Sequence, residues 1–412
     1  MRTAEQRVVV TGMGSVTAYG VGVKAYWEGM VALPPAIRRI TQFDPSHLPV
    51  QIAAEVSEFD PLVYMDKRIA RRSARFIQFA VAASQEALLD GGMQVDRERE
   101  IGVFLGTAGG MFDSAEQAKR LETRGAGHVD PLFVARIGAH MASARVGLIL
   151  GLRGPNSTMN SACASGLDAI GQAANALRLG HAEAILAGGT EAVISPVGIA
   201  TMGLIGALTK SYNENPQAAS RPFDANRDGF VLGEGAGVLL LERLDCAQAR
   251  GARIYCEVMG AGWSFDAADD TAPDVDGQYL AMYRALRDAR VSADEVDAVK
   301  AHATSTVLND RTETAALKKL LGDRAYRVPV TAPKSKIGHA ASAAGGVEAV
   351  AAVMMLQRQT LFPTANLQTP DPTCDLDYVP EGPRQASLNT FLVNAFGMGG
   401  QNSSLVLRRW QG

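Results

Sequence analysis

The sequence predicts an α/β protein organised as one continuous unit, and three observations carry that expectation. Short β-branched runs alternate with alanine-rich stretches of helical period along the whole chain. With 47% hydrophobic and 20% charged residues, the 412 residues can bury one large core or two medium ones. No Pro/Ser-rich hinge or low-complexity tract separates independent modules.

Strands are expected at RVVV (7–10), IGVFLG (101–106), AILAGG (184–189), GVLLLE (237–242) and DAVKAHAT (297–304), where β-branched and apolar residues are bounded by turn signals. Apolar spacing of three and four predicts helices over 73–90, 166–179, 278–289, 311–321 and 345–358. The stretch 208–230 reads as a long irregular loop, and loops of that length in a compact protein usually carry function. A Gly-rich turn, NAFGMGGQN (394–402), precedes a closing strand, SLVLRR. Two halves are expected, 1–250 and 251–412. Each opens on a β-rich, Gly-punctuated segment (RVVVTGMGSV at 7–16, IYCEVMGAGWS at 254–264) and later delivers a reactive residue ahead of a small-residue helix.

A formal net charge of −3 gives no global field for nucleic acid or an anionic membrane, so an acidic partner must meet a local basic patch. The longest apolar runs, such as VGLILGL (146–152), fall far short of the roughly 18 residues that mark a membrane span. The chain passes from MRTAEQ straight into a β-branched run without the apolar stretch of a secretory signal, so a cytoplasmic location is expected. The four cysteines (Cys163, Cys246, Cys256, Cys374) are widely spaced and have no metal-ligand pattern, which predicts free thiols and no bound metal.

Three segments carry chemistry. In TMNSACASGLDAIGQAANALRLG, a β-like stretch turns sharply into a helix with Leu167, Ile170, Ala174 and Leu177 on one face, so Cys163 sits at a helix N-terminus. Unpaired N–H groups there favour a thiolate, and the small neighbours Ala162, Ala164, Ser165 and Gly166 leave room for a substrate. A lone cysteine is more often a buried structural residue. Two histidine loops reverse that balance. KAHATSTVLNDRTE (300–313) places His302 at a strand end with Glu313 on the following helix, and PKSKIGHAASAAGGVEA (333–349) places His339 after a glycine with Lys334 upstream. Paired imidazole N–H groups at strand-to-helix turns suit an enolate or thioester oxygen, and the 394–402 turn can aim a backbone N–H at an oxyanion.

These motifs, in this order, resemble the elongating two-histidine β-ketoacyl-acyl-carrier-protein synthases, including the ketosynthase subunits of type II polyketide and polyene systems. The resemblance runs from VVVTGMGSVTAYG to the last strand, through GPNSTMNSACASG, AGGTEA (187–192), SRPFDANRDGFVLGEGAG (220–237), HATST, KSKIGHAASAAG, PTANLQTPDPTCDLDYVP (363–380) and FGMGG. It implies a thiolase-like fold, a five-layered αβαβα sandwich of two related halves that dimerises through its central layer. It also implies that Cys163 accepts an acyl chain from acyl carrier protein, with the N–H groups of Cys163 and Met398 as the oxyanion hole. His302 and His339 stabilise the enolate formed as malonyl carrier protein loses carbon dioxide, and Lys334 and Glu313 pair as a buried support. No cofactor is implied. Lys67, Arg68, Arg71, Arg72 and Arg75 form a basic run on and before a helix, and Arg68, Arg71 and Arg72 match carrier-docking positions of relatives.

Four positions depart from the family pattern. Ala303 stands where relatives have Gly, and Met398 replaces the Phe that, with Phe396, gates the substrate. The segment GTAGGMF (106–112) is one residue short and places Ala108 and Gly109 where relatives carry the Ile that narrows the acyl tunnel. Lys300 replaces an Asn near which relatives hold a monovalent cation, so its ammonium is expected to take the cation's place by pairing with Glu348. The acyl chain is left open between fatty-acid and polyketide or polyene types, and the assembly between a homodimer and a heterodimer with a chain-length-factor-like subunit. Three alternatives are weaker. A non-elongating partner subunit usually lacks the nucleophile, a thiolase needs a second Cys in the late Gly-rich loop, and a cysteine hydrolase needs a His oriented by Asn or Asp.

Overall fold

Residues 2–96 and 99–412 are described by the computed structural model. Ten strands carry the architecture: β1 Val8–Thr17, β2 Ile101–Gly106, β3 Asn156–Met159, β4 Ala184–Glu191, β5 Gly235–Arg243, β6 Cys256–Phe265, β7 Ala298–Lys300, β8 Val330–Thr331, β9 Thr390–Gly397 and β10 Gln401–Arg409. They form two five-stranded wings with orders β1-β5-β4-β2-β3 and β6-β10-β9-β7-β8. The second order is the first with five added to every number, and the pairing senses agree. In each wing the first two contacts are antiparallel and the last two parallel. The wings join where β1 meets β6 through the pairs Val9–Glu257 and Val10–Cys256.

Eight helices matter for the site: α1 Lys67–Arg71, α2 Arg75–Asp90, α3 Met141–Leu150, α4 Ser165–Arg178, α5 Val275–Ala289, α6 Val307–Leu321, α7 Lys334–Ile337 and α8 Ala344–Arg358. Strand alternation sorts side chains into layers. On β5, Leu239 and Leu241 enter a core shared with Leu167 and Ile170 of α4, Val350 and Val353 of α8, and Leu405 and Leu407 of β10. Val238 and Leu240 face the opposite way, onto Ile77, Val81 and Leu88 of α2. The second wing repeats this: Phe391 and Val393 of β9 enter the shared core, and Leu392 joins Met282 and Leu286 of α5 in an outer one. Helices α4 and α8 therefore lie between the wings, with α2 and α3 outside one and α5 and α6 outside the other. This is the five-layered αβαβα thiolase-like fold, with two related halves.

Helix ends fall within four residues of expectation, and 208–230 holds no α-helix or strand. The strand expected over 297–304 stops at Lys300, because Ala303 (φ +44°) and Ser305 (φ +69°) turn the chain out of the extended region. The central helices cross closely at their N-terminal ends. A Cβ on Gly166 would lie 2.5 Å from the Gly346 nitrogen, and one on Gly346 would lie 2.3 Å from both the Gly189 nitrogen and the Gly237 oxygen.

Candidate active site

Each wing delivers its reactive side chains where a strand or turn hands over to a helix. Ala162, at φ +49°, bends the chain sharply so that Cys163 emerges just before α4. The bend is tied by the Ser165 hydroxyl, which donates to Ala162 O at 2.6 Å and accepts from Ser161 N at 2.9 Å. In the other wing His302 follows β7, and Glu313 of α6 accepts the His302 and Ala303 N–H groups at 2.8 Å each. His339 follows α7 after Gly338, at φ +66°. Its N–H donates to Val231 O at 2.7 Å and its carbonyl accepts from Gly233 N at 2.9 Å, fixing the loop to the 220–237 segment.

These turns bring Cys163, His302, His339, Phe396 and Met398 to one pocket of about 380 Å³. His339 Nε2 lies 3.2 Å from Cys163 Sγ. The two imidazole centroids are 5.3 Å apart with the rings nearly perpendicular, at 84°. Lys334 Nζ approaches His302 Nδ1 at 3.4 Å and donates to its carbonyl at 2.7 Å. An ammonium only donates, so Nδ1 accepts and the proton of the neutral ring sits on Nε2. Phe230, in the long loop, stands edge-on to His339 at 5.3 Å and 71°.

Burial pushes both imidazoles well below the ordinary histidine value, and the Lys334 charge pushes them further, so both are neutral around pH 7. Burial also raises the Glu313 carboxyl, against the pull of its two backbone N–H donors. The thiolate expected from the helix N-terminus is not the resting form. Burial raises the Cys163 thiol above its ordinary value, and this outweighs the Met398 N–H, the Lys334 ammonium and the Cys163 N–H, which pull it down. The thiol therefore rests protonated, with the His339 ring beside it as proton acceptor.

A second correction concerns the buried support. Lys334 pairs with Glu348 of α8 at 2.5 Å rather than with Glu313. The Glu313 oxygens are occupied by the His302 and Ala303 N–H groups and by Asn394 Nδ2 at 3.2 Å. Lys300 pairs with Glu348 as expected, through the other carboxylate oxygen. Ala108 and Gly109 do not line the pocket; the Ala108 N–H donates to buried Glu191 at 2.8 Å. Lys67, Arg68, Arg71 and Arg72 are exposed on and beside α1 and make no ion pair among the described residues. Arg75 differs, because it binds Glu234 at 2.8 Å. Sequence reasoning missed Phe230, Asn394 and the Lys334–Glu348 pair. The long loop was the only signal for the first, and contacts between distant elements left none for the others.

Comparison with known proteins gives the family. Residues 5–247 match the family described as "Beta-ketoacyl synthase, N-terminal domain", and residues 255–368 match "Beta-ketoacyl synthase, C-terminal domain". A "3-oxoacyl-[acyl-carrier-protein] synthase 2" of Synechocystis sp. is 42% identical over 413 residues, covering 99% of each chain. The solved ishigamide ketosynthase/chain length factor superposes with a TM-score of 0.92 at 34% identity, covering 98% of this chain and 99% of that one. A type II polyketide ketosynthase solved with its acyl-carrier protein and bound to the hexaketide gives 0.90 at 33%, with 98% and 99% covered. The chain belongs to the beta-ketoacyl synthase family.

Proposed function

We propose that the protein elongates acyl chains by decarboxylative Claisen condensation on acyl carrier protein. The observation that carries this reading is the Cys163–His339 contact at 3.2 Å with a second neutral imidazole, His302, facing the same pocket. In the first half-reaction Cys163 Sγ attacks the acyl thioester, its proton passes through His339 to the leaving carrier thiolate, and the Cys163 and Met398 N–H groups hold the oxyanion. In the second, the malonyl group on carrier protein loses carbon dioxide. The electron pair left on carbon is stabilised as an enolate whose oxygen accepts from His302 Nε2–H and from the Nε2–H that His339 carries once Cys163 is acylated and its thiol no longer donates to that nitrogen. That carbon attacks the acyl-cysteine carbonyl, and the released thiolate regains a proton. Phe396 and Met398 gate the pocket, with Ala108 and Gly109 on the acyl tunnel beyond it. The edge strand β3, unpaired on its outer side among the described residues, supports assembly with a second subunit, a copy of this chain or a chain-length-factor-like partner.

The test is Cys163→Ala assayed with acyl and malonyl carrier proteins. Elongation and covalent acylation should disappear, whereas carbon dioxide release from malonyl carrier protein should persist. Elongation at a near wild-type rate would sink the mechanism.

A further inference from the structure

Behind the pocket lies a closed loop of buried groups. Glu348 carries Lys300 Nζ on one carboxylate oxygen and Lys334 Nζ on the other. Lys334 Nζ continues to the carbonyl and Nδ1 of His302. The His302 N–H donates to Glu313, which also accepts from Asn394 Nδ2. The Asn394 carbonyl accepts from Lys300 Nζ at 2.5 Å, closing the loop. The six residues come from β7, α8, α7, the turn after β7, α6 and β9, and none is more than 3% exposed. Two ammonium groups face two carboxylates. Without Lys300 the charges stand one against two in a place water does not reach.

We propose that Lys300 is a positioning residue for the reaction, holding Lys334 against His302 Nδ1 by occupying the second oxygen of Glu348 and the carbonyl of Asn394. The proposal rests on the condensation reading above. Lys300 does not line the pocket, so it acts through its neighbours. If it were lost, Glu348 would be left with a buried, unpaired oxygen, a costly state. The carboxylate would then rotate to take both oxygens to Lys334, or capture a proton or a small cation. The rotation draws the Lys334 ammonium away from His302 and frees the ring to carry its proton on Nδ1, where it cannot donate into the pocket, and protonation removes the counter-charge that holds Lys334 in place. Burial brings the Lys300 ammonium down to about 8 against the opposing charge of Glu348, so the group remains charged around pH 7.

The test compares Lys300→Met, which fills the space without charge, with Lys300→Ala, which leaves room for a cation. For Lys300→Met, kcat for carbon dioxide release from malonyl carrier protein should fall about 10- to 100-fold while KM changes little, as for a misplaced reacting group. For Lys300→Ala, ammonium or potassium should restore part of the lost rate, and tetramethylammonium, too large for the site, should not. Selective nitrogen-15 labelling of the six histidines should show His302 protonated on Nε2 in the wild type and on Nδ1 in Lys300→Met. Should Lys300→Met be too unstable to assay, Lys300→Ala prepared in ammonium chloride and assayed before and after its removal gives the same comparison. Variants that keep the wild-type kcat and tautomer while losing only thermal stability would overturn the proposal. Failure of the wild type to decarboxylate would sink the condensation reading instead, and the tautomer measurement would still decide the role of Lys300.

Discussion

A neutral imidazole donates a hydrogen bond without bringing its own charge into the pocket, and burial imposes that form on His302 and His339. The consequence is a separation between activity and stability on the acid side. Both folded pKa values lie well below 6.5, whereas the unfolded chain takes up protons on both rings as pH falls through about 6.5. Stability is therefore lost on acidification, at up to about 1.4 kcal/mol per pH unit for each ring, while the folded enzyme keeps its neutral donors. Carbon dioxide release from malonyl carrier protein should stay level between about pH 7.5 and 5.5 as the melting temperature declines. A rate that titrates with a midpoint near 6.5 while the protein remains folded would contradict neutral donors. That Cys163, His302 and His339 would meet was legible because each stands at a sharp turn into a helix, and the three share one pocket. The partner of Lys334 was not, since spacing along the chain does not tell which of two buried carboxylates reaches an ammonium. The state of the thiol was misread for a similar reason: a helix N-terminus is visible in TMNSACASG, but the depth of burial that outweighs it is not.

At the scale of elements, the small residues in ACASG and AASAAGG have a packing reason as well as a catalytic one. Helices α4 and α8 approach so closely that Gly166, Gly345 and Gly346 touch backbone from the opposite helix or from β4 and β5. That contact places the α4 end bearing Cys163 beside the loop bearing His339. Gly346→Ala would put a methyl 2.3 Å from two backbone atoms that cannot move independently, so it should destabilise the fold by about 3 kcal/mol or more and reduce acylation of Cys163 in the protein that remains folded. Gly127→Ala, where an added Cβ meets nothing within 4 Å, is the control and should be silent. Equal melting temperatures for the two variants would refute the close crossing. Helical period fixed the extents of α4 and α8 well, but not the distance between them. The overlong expectation for β7 has a local cause, because Ala303 and Ser305 adopt positive φ without the glycine that would have signalled a turn.

For the whole molecule, a net charge of −3 means that attraction of an acidic carrier must come from one face. Lys67, Arg68, Arg71 and Arg72, exposed and without an ion pair among the described residues, are the face proposed for it, with exposed Leu62 (53%) and Val63 (72%) beside them as apolar contact. This face is connected to the pocket wall. Arg75, three residues beyond Arg72, binds Glu234, whose neighbour Gly233 donates its N–H to the His339 carbonyl. Reversing Arg68 and Arg72 to Glu replaces two attractive charges by two repulsive ones on the surface, where the effect falls on encounter rather than on chemistry. The apparent KM for carrier-bound substrates should rise by about tenfold or more, as for a change of roughly 1.4 kcal/mol or more, and kcat should hold. The wild-type advantage should shrink as salt screens the face. Small thioester mimics, which lack the acidic carrier, should react alike with both proteins. An equal loss on carrier-bound and small substrates would instead place the two arginines in the support of the fold.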